Sequence, residues 1–292
     1  LSLAYLRLQP DCFSAFDEGL LADPADRIYH GEMLHRDIQP SISFFSFNLN
    51  HPLVGGYSPE KIGLRRAISM GYDRNAAVRQ LRDGQGIPAN QPVPPPLFGH
   101  DPGYVAPYGY DPAAARALLD KFGYKDRDGD GYRELPDGKP LTLVLASTTT
   151  AAARASDELW KRNMDALGLR ITFLKNKWPE LNRMSEAGQL MMWGLAWSSS
   201  IPEGIDFYSY FASGNIGTSN DARMRLPDYD ALYEKARNVP HGPQRTALFA
   251  RLNDMIFSYA PWILTDYPYQ NALVQPWVGG FKQNPFKDQQ WQ

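Results

Sequence analysis

The sequence predicts an α/β fold in which helices connect the strands of a mixed β-sheet. A unit of helix, glycine and strand occurs twice, first over residues 155–175 and then over residues 179–197. In each unit an amphipathic stretch ends at a glycine, Gly168 or Gly188, and a strand-like apolar run follows. The chain has 292 residues, which is enough to bury a sizeable core in one large domain or two. Alternation of this kind is typical of sheets with helical crossovers.

The first half of the chain predicts a strand, two helices and a long loop. The run "ISFFSFNL" (42–49) is β-branched and aromatic, which favours a strand. Ser58, followed by Pro-Glu, is a typical start for the first helix. Asp73 can cap a second helix that ends near Gly84. The segment 86–110 contains seven prolines and many apolar residues. We therefore expect an extended loop that packs along the surface.

The second half adds helices and strands around the two repeated units. Asp111 and the proline after it begin the helix "AAARALLDKFGY", and the strand "PLTLVLAS" (140–147) comes later. Two further helices are predicted at about 228–238 and 243–258. After them, "PWILTDY" and "NALVQPWVGGF" predict two separate strand-like segments.

Composition excludes several classes of protein. The formal net charge is −2, which gives no electrostatic basis for binding nucleic acid or an anionic membrane. No apolar run approaches the roughly 20 residues of a membrane span, so we expect no direct insertion. The single cysteine, Cys12, rules out an internal disulfide. The opening "LSLAYLRLQPDC" lacks the features of a signal peptide, which suggests a processed or truncated product.

Catalytic signatures are also missing from the sequence. There is no G-x-S-x-G elbow, no phosphate-binding loop and no dinucleotide glycine fingerprint. His30 and His35 are five residues apart, rather than the four of a zinc-binding helix, and no third ligand is evident. We therefore assign no catalytic residue and expect a protein that is not an enzyme.

The stretch "DRDGDGYRELPDG" matches the ligand spacing of a calcium-binding loop. Acidic residues occupy positions 1, 3, 5, 9 and 12 of the pattern: Asp126, Asp128, Asp130, Glu134 and Asp137. Pro136 and Pro140 forbid a helix directly behind the loop, so a paired EF-hand is excluded. The alternative is a turn held by aspartate hydrogen bonds, with Gly129 and Gly131 at positive φ. No cofactor is required, and a calcium ion here would be structural.

The segment 188–211 is the strongest candidate for a ligand site. A buried strand ends at Trp197, and three serines, a turn and an aromatic-rich stretch follow it. Open α/β sheets bind ligands in the loops at the carboxyl ends of their strands. An ordinary strand with core tryptophans is the alternative, and it accounts well for Trp193. The polar Ser198 to Ser200 beside aromatic residues favour the ligand-lining interpretation.

Several linked motifs resemble family 5 extracellular solute-binding proteins, the dipeptide/oligopeptide-type receptors of ABC importers. In chain order these are "FFSFNLNHPLVGGYSPEKIGLRRAISMGYDRNAAVRQLRDGQGIPANQPVPPP", "YDPAAARALLDKFGYKDRDGDGYRELPDGKPLTL" and "LPDYDALYEKARNVPHGPQRTALFARLNDMIFSYAPWILTDYP". The resemblance implies a lobe like those of type II periplasmic-binding proteins. It also implies a periplasmic location, capture of a peptide or other small molecule by lobe closure, and delivery to ABC transporter permease subunits.

The same resemblance implies a division of the chain. Residues 1–47 would be a remnant of the first lobe, residues 48–265 the second, ligand-binding lobe, and residues 266–292 a return to the first. The amino-terminal half of such a protein, which forms the opposite wall of the cleft, is outside the given sequence.

One position departs from the peptide-binding pattern of the family. Peptide-binding members carry an aspartate three residues after the tryptophan of the "G-W" motif, where it pairs with the α-amine. Here that tryptophan is Trp197 and the matching position is Ser200. Glu203 or Asp206 can replace the missing charge; otherwise the ligand lacks a free amine. The expected ligand-binding residues are Trp197, Ser198, Ser200, Glu203, Asp206 and Tyr208.

Two other functions remain open from the sequence. The first is an α/β hydrolase-like or glycan-processing enzyme that uses carboxylates of the 203–206 loop. The second is an adhesion module stabilised by calcium.

Overall fold

The computed structural model describes residues 6–8, 33–275, 277, 278, 281 and 286. The strands in that part of the chain are β1 (Leu6–Leu8), β2 (Met33–Ile38), β3 (Ser41–Phe47), β4 (Gly86–Pro88), β5 (Thr142–Ser147), β6 (Arg170–Lys175), β7 (Met192–Ser198) and β8 (Trp262–Val274). The α-helices there are α1 (Pro59–Gly71), α2 (Arg74–Leu81), α3 (Pro112–Lys121), α4 (Ala151–Asp165), α5 (Trp178–Glu186), α6 (Ile205–Ser209), α7 (Pro227–Arg237) and α8 (Pro243–Tyr259).

The strands form one mixed sheet in the order β1-β8-β3-β7-β5-β6. β5 runs parallel to β6 and β7, whereas β3 runs antiparallel to β7 and β8. β2 and β4 also pair with β8. α4 connects β5 to β6 and α5 connects β6 to β7, as the two repeated units predict. The carboxyl ends of β5, β6 and β7 therefore share one edge of the sheet.

Strand β8 corrects the prediction of two separate strand-like segments. It is a single strand of 13 residues that runs through Pro268. Up to Asp266 it pairs with β3, and from Tyr269 onward it pairs with β2. Pro268 has no N–H to donate, but its carbonyl accepts a hydrogen bond from Gln39 N–H at 2.8 Å. A proline fits here because the strand changes partners at this point.

Both faces of the central sheet are covered by apolar side chains. Along β3, Ile42 and Phe44 belong to one buried cluster and Phe47 to another. The first cluster includes side chains of α6, α7 and α8, and the second includes side chains of α1, α2, α3 and α4. This two-sided burial explains why apolar residues of β3 point to both faces of the sheet and why its serines, Ser41, Ser43 and Ser46, are buried as well.

The helix starts follow the capping signals in the sequence. The side chain of Asp73 accepts a hydrogen bond from Ala76 N–H, and that of Asp111 accepts from Ala113 and Ala114. Helix α4 begins four residues before the predicted position 155, because the Thr150 hydroxyl caps it through Ala153 N–H at 3.2 Å. Strands β1, β2 and β4 and the short helix α6 were not predicted.

Some of the sequence predictions fall on residues that the structure does not describe. Cys12, His30 and most of the segment 1–47 lie outside the described residues. Within the described part, none of the helices combines the length and the apolar character that crossing a bilayer requires.

Candidate functional site

The candidate ligand loop, residues 198–206, starts at the last residue of β7 and ends in the first turn of α6. Backbone hydrogen bonds hold both of its sides. Ser199 N–H donates to the Pro40 carbonyl at 2.8 Å, and Gly204 N–H donates to the Phe98 carbonyl at 2.9 Å. Because Phe98 belongs to the long proline-rich loop, the candidate ligand loop is fixed between that loop and the start of β3.

Trp197 is the outer ring of an aromatic stack. Its ring is stacked on Tyr210 with centroids 4.8 Å apart, and Tyr210 is stacked on Trp262 at 6.1 Å. Trp262 is in turn stacked on Phe44 at 3.5 Å, which ties the set to β3 and β8. Trp197 is half-buried, and its Nε1 has no hydrogen-bond partner among the described residues. The stack therefore holds a rigid aromatic surface, and the unpartnered N–H of Trp197 is buried within it.

The serines that follow Trp197 supply neutral polar groups. Ser198 and Ser200 are exposed. Ser199 is used within the loop, because its hydroxyl donates to the Ile201 carbonyl at 2.8 Å and accepts from Ile201 N–H at 3.2 Å. Ser198 and Ser200 are thus open to solvent, while Ser199 shapes the turn between them.

Glu203 is held by groups of the protein itself. Its Oε2 lies 3.1 Å from Arg245 Nη1 and 3.2 Å from His241 Nε2, and its Oε1 accepts from Ile205 N–H at 3.1 Å. The Arg245 side chain is only 8% exposed, and that of Glu203 is 22% exposed. One carboxylate oxygen therefore anchors the loop to α8, and the other holds the start of α6.

The two remaining candidates of the loop differ in exposure. Asp206 is an exposed residue at the start of α6, but its carboxyl group is partly shielded from solvent, and this partial burial together with the charge of Glu203 raises its pKa. Tyr208 is fully buried, and its hydroxyl donates to Asn253 Oδ1 at 2.9 Å. The expectation that Tyr208 lines the ligand site is corrected by this position, because its side chain points into the core beneath the loop.

The aspartate loop brings together four of its five predicted metal ligands. Asp126, Asp128, Asp130 and Glu134 offer oxygen atoms that all lie within 4.8 Å of one another. Asp137 is not in this group and is paired with Lys139 at 2.7 Å, which lowers the pKa of its carboxyl group. The structure therefore does not group Asp137 with the other four predicted ligands, because its carboxylate pairs with Lys139 instead.

Hydrogen bonds to the backbone already stabilise this loop. Asp126 accepts from Gly129 N–H at 2.7 Å and from Gly131 N–H at 3.0 Å. Glu134 is buried and accepts from Arg127 N–H at 2.7 Å. Gly129 and Gly131 have φ of 81° and 88°, as the turn interpretation predicts.

A family model described as "Bacterial extracellular solute-binding proteins, family 5 Middle" matches residues 16–219, more than half of the chain. The chain belongs to this family. The resemblance predicted from the motifs is thereby confirmed, and so is the fold class of a type II periplasmic-binding-protein lobe.

Curated relatives of this family 5 chain are named for different ligands. It is 25% identical to Heme-binding protein A of Haemophilus influenzae over 78% of this chain and 40% of that protein. It is also 25% identical to the periplasmic oligopeptide-binding protein OppA of Escherichia coli, over 75% of this chain and 39% of the relative. The chain thus spans about two fifths of the length of these relatives.

Solved structures show the same fold. HbpA2 from Haemophilus parasuis superposes with a TM-score of 0.78 at 19% identity, covering 92% of this chain and 51% of that one. The oligopeptide-binding protein AppA from Bacillus subtilis, in complex with a nonapeptide, also gives 0.78 at 19% identity, covering 96% and 56%. This chain therefore has the fold of about half of each larger protein.

Sequence reasoning missed three residues that organise the family 5 candidate site. Arg245 and His241 hold Glu203, and Tyr210 supports Trp197. Tyr210 lies in the aromatic-rich stretch after the loop, which was a usable signal. No local pattern connects Glu203 with α8, because the two elements meet only through packing.

Proposed function

We propose that this chain is the carboxyl-terminal, ligand-binding lobe of a periplasmic solute-binding protein. It captures a small ligand by lobe closure and delivers it to the permease subunits of an ABC importer. Membership of family 5 supports this proposal, together with an aromatic surface and exposed serines at the carboxyl end of a sheet strand. The residues proposed to face the ligand are Trp197, Ser198, Ser200 and Asp206.

The proposed ligand class is a solute without a free α-amine. An ammonium group in a closed cleft needs a carboxylate partner, because an uncompensated buried charge is costly. Ser200 is neutral, and Glu203 is already bound to Arg245. Asp206 is the remaining acid of the loop; it is exposed at the start of α6, six residues after the position that matches the family's aspartate, and partial burial together with the charge of Glu203 raises its pKa. Relatives named for heme and for deoxycholate are consistent with non-peptide ligands in this family.

Calorimetry on the full-length protein tests this ligand class. The titrants are a free dipeptide and its N-acetylated form, which differ in the ammonium group. We expect little preference for the free amine in the unmodified protein, and a gain for it in Ser200→Asp. A desolvated charge pair is worth about 2–5 kcal/mol, or roughly 30-fold to several thousand-fold in affinity.

Ser200→Asn is the matched control, because it adds similar volume without charge. A strong preference of the unmodified protein for the free amine, retained in Asp206→Asn, would contradict the proposal.

The enzyme alternative is less well supported by the geometry. Glycoside hydrolysis uses a pair of carboxylates, and of the two in the 203–206 loop Glu203 is engaged by Arg245 and by Ile205 N–H, which leaves Asp206 alone to act on a substrate. Mass spectrometry of what co-purifies with the full-length protein, followed by incubation, distinguishes the two functions. Recovery of the unchanged ligand supports a receptor, and turnover supports an enzyme.

For the aspartate loop we propose a structural role as the turn between α3 and β5. Its carboxylates accept the backbone N–H groups of the turn itself. The alternative is that Asp126, Asp128, Asp130 and Glu134 also bind a calcium ion. Such an ion would be structural too, because it would stabilise the same turn.

A further inference from the structure

A cavity of about 240 Å³ lies at the base of the long proline-rich loop, and no residue of the candidate ligand loop lines it. Its walls come from the start of α2 and from both ends of the long loop. The residues that matter below are Arg74, Asn75, Asn90, Tyr108, Gly109 and Tyr110. Asn75 and Tyr110 are exposed, so the cavity is open to solvent on their side.

Arg74 brings a buried positive charge to this cavity. The residue is only 7% exposed. Its Nη1 donates to the Ala89 carbonyl at 2.8 Å, and its Nη2 donates to the Tyr108 carbonyl at 3.4 Å. A guanidinium has five N–H donors, and these two contacts use two of them, while the residue also lines the cavity. The two carbonyls neutralise none of its charge.

Two other buried arginines show how a buried guanidinium group is stabilised elsewhere in the fold. Arg65 is fully buried and makes four hydrogen bonds to the carbonyls of Val54, Gly56 and Tyr259. Arg245 is paired with the carboxylate of Glu203. Among the buried arginines of the described residues, Arg74 has neither a full set of carbonyls nor an acidic partner.

The acids nearest in sequence are committed to other groups. Asp73 caps α2 through Ala76 N–H at 2.8 Å, and Asp111 caps α3 through two backbone N–H groups. None of the residues that line the cavity is acidic. Burial lowers the pKa of Arg74, and no carboxylate is among the groups that oppose this shift. A buried cation without an anion is costly, so the cavity favours a ligand that supplies one.

We propose that this cavity is a binding site for a small oxyanion or carboxylate, which pairs with the guanidinium of Arg74. Arg side chains bind such groups in a two-pronged geometry. Because Arg74 also donates to both ends of the long loop, a bound anion would help to fix the base of that loop. The site is separate from the solute site proposed above and does not depend on it.

Substitutions at Gly109, which lines the cavity, test whether a negative charge there weakens anion binding. No atom lies within 4 Å of the position that a Cβ would occupy at Gly109, and its backbone is outside the positive-φ region. Gly109→Asp therefore adds a negative charge without a steric clash, and Gly109→Asn adds nearly the same volume without charge. The assay is calorimetric titration of the full chain with inorganic phosphate, sulfate and acetate, which separates oxyanions from carboxylates.

We expect saturable binding of at least one of the three anions by the unmodified protein. Gly109→Asp should weaken that binding by about tenfold or more, since repulsion of about 1.4 kcal/mol has this effect. Gly109→Asn should bind within about twofold of the unmodified protein, and Trp197→Ala should leave anion binding unchanged. Arg74→Gln, checked for folding by circular dichroism, should lose it.

The proposal is overturned if none of the three anions binds saturably to the unmodified protein. It is also overturned if Gly109→Asp and Gly109→Asn weaken binding equally, because charge would then not matter. Binding that persists in a folded Arg74→Gln variant would place the anion at another site.

Discussion

Replacing Glu203 with glutamine separates an anchoring role from a ligand-binding role for this residue. The substitution keeps the size of the side chain and one carbonyl acceptor, but removes the negative charge that faces Arg245. Because the Arg245 side chain is 8% exposed, its guanidinium would remain largely buried without an acidic partner.

The expected cost follows from the burial of the pair. Removing one partner of a fully buried ion pair costs about 3–5 kcal/mol. Glu203 is 22% exposed, and glutamine still accepts a hydrogen bond from Arg245, so we expect a loss of about 2–3 kcal/mol in the free energy of unfolding. The loss is expected in stability and not in the preference between free and N-acetylated ligands.

Urea denaturation at neutral pH measures the free energy of unfolding, and calorimetry measures the ligand preference. Asp206→Asn is the matched control because it removes the same charge from the same loop. Asp206 is exposed and its pKa is raised, so its loss should change stability by no more than about 0.5 kcal/mol.

Two results would refute the reasoning about Glu203. One is a Glu203→Gln variant that is as stable as Asp206→Asn. The other is a variant of normal stability that loses affinity for free amines alone, which would show that Glu203 faces the ligand.

Three further predictions concern other parts of the molecule. Trp197→Ala should weaken the binding of free and N-acetylated ligands by the full-length protein to the same extent, because an aromatic surface does not distinguish charge. Calorimetry that shows weaker binding of only one of the two ligands would contradict this. Burial raises the pKa of Asp221 to about 6 from its ordinary 3.8, so its ionised form opposes folding. The free energy of unfolding of the unmodified protein, relative to that of Asp221→Asn, should therefore fall by about 2 kcal/mol as pH rises from 4 to about 7. Urea denaturation at several pH values measures this difference, and a difference that does not change with pH would contradict the prediction. If the aspartate loop binds calcium, millimolar calcium should raise the melting temperature of the unmodified protein but not that of Asp126→Asn; no response to calcium, magnesium or chelator leaves the loop as a turn alone.

The sequence alone was sufficient for the features that depend on neighbouring residues. Apolar periodicity and the glycines at positions 168 and 188 predicted the repeated helix–strand units, since both are local properties of the backbone. The caps at Asp73 and Asp111 were predicted for the same reason. The ordered motifs also gave the family, which the family model confirms.

The tertiary structure decided the roles of individual side chains, which depend on distant partners. Glu203 meets Arg245 across 42 residues of sequence, and Tyr208 meets Asn253 across 45. Pro268 is compatible with a continuous strand only because β8 changes its partner there, from β3 to β2. The free energy of a buried charge or hydroxyl depends on which groups packing brings within hydrogen-bond distance, and no local pattern in the sequence contains that information.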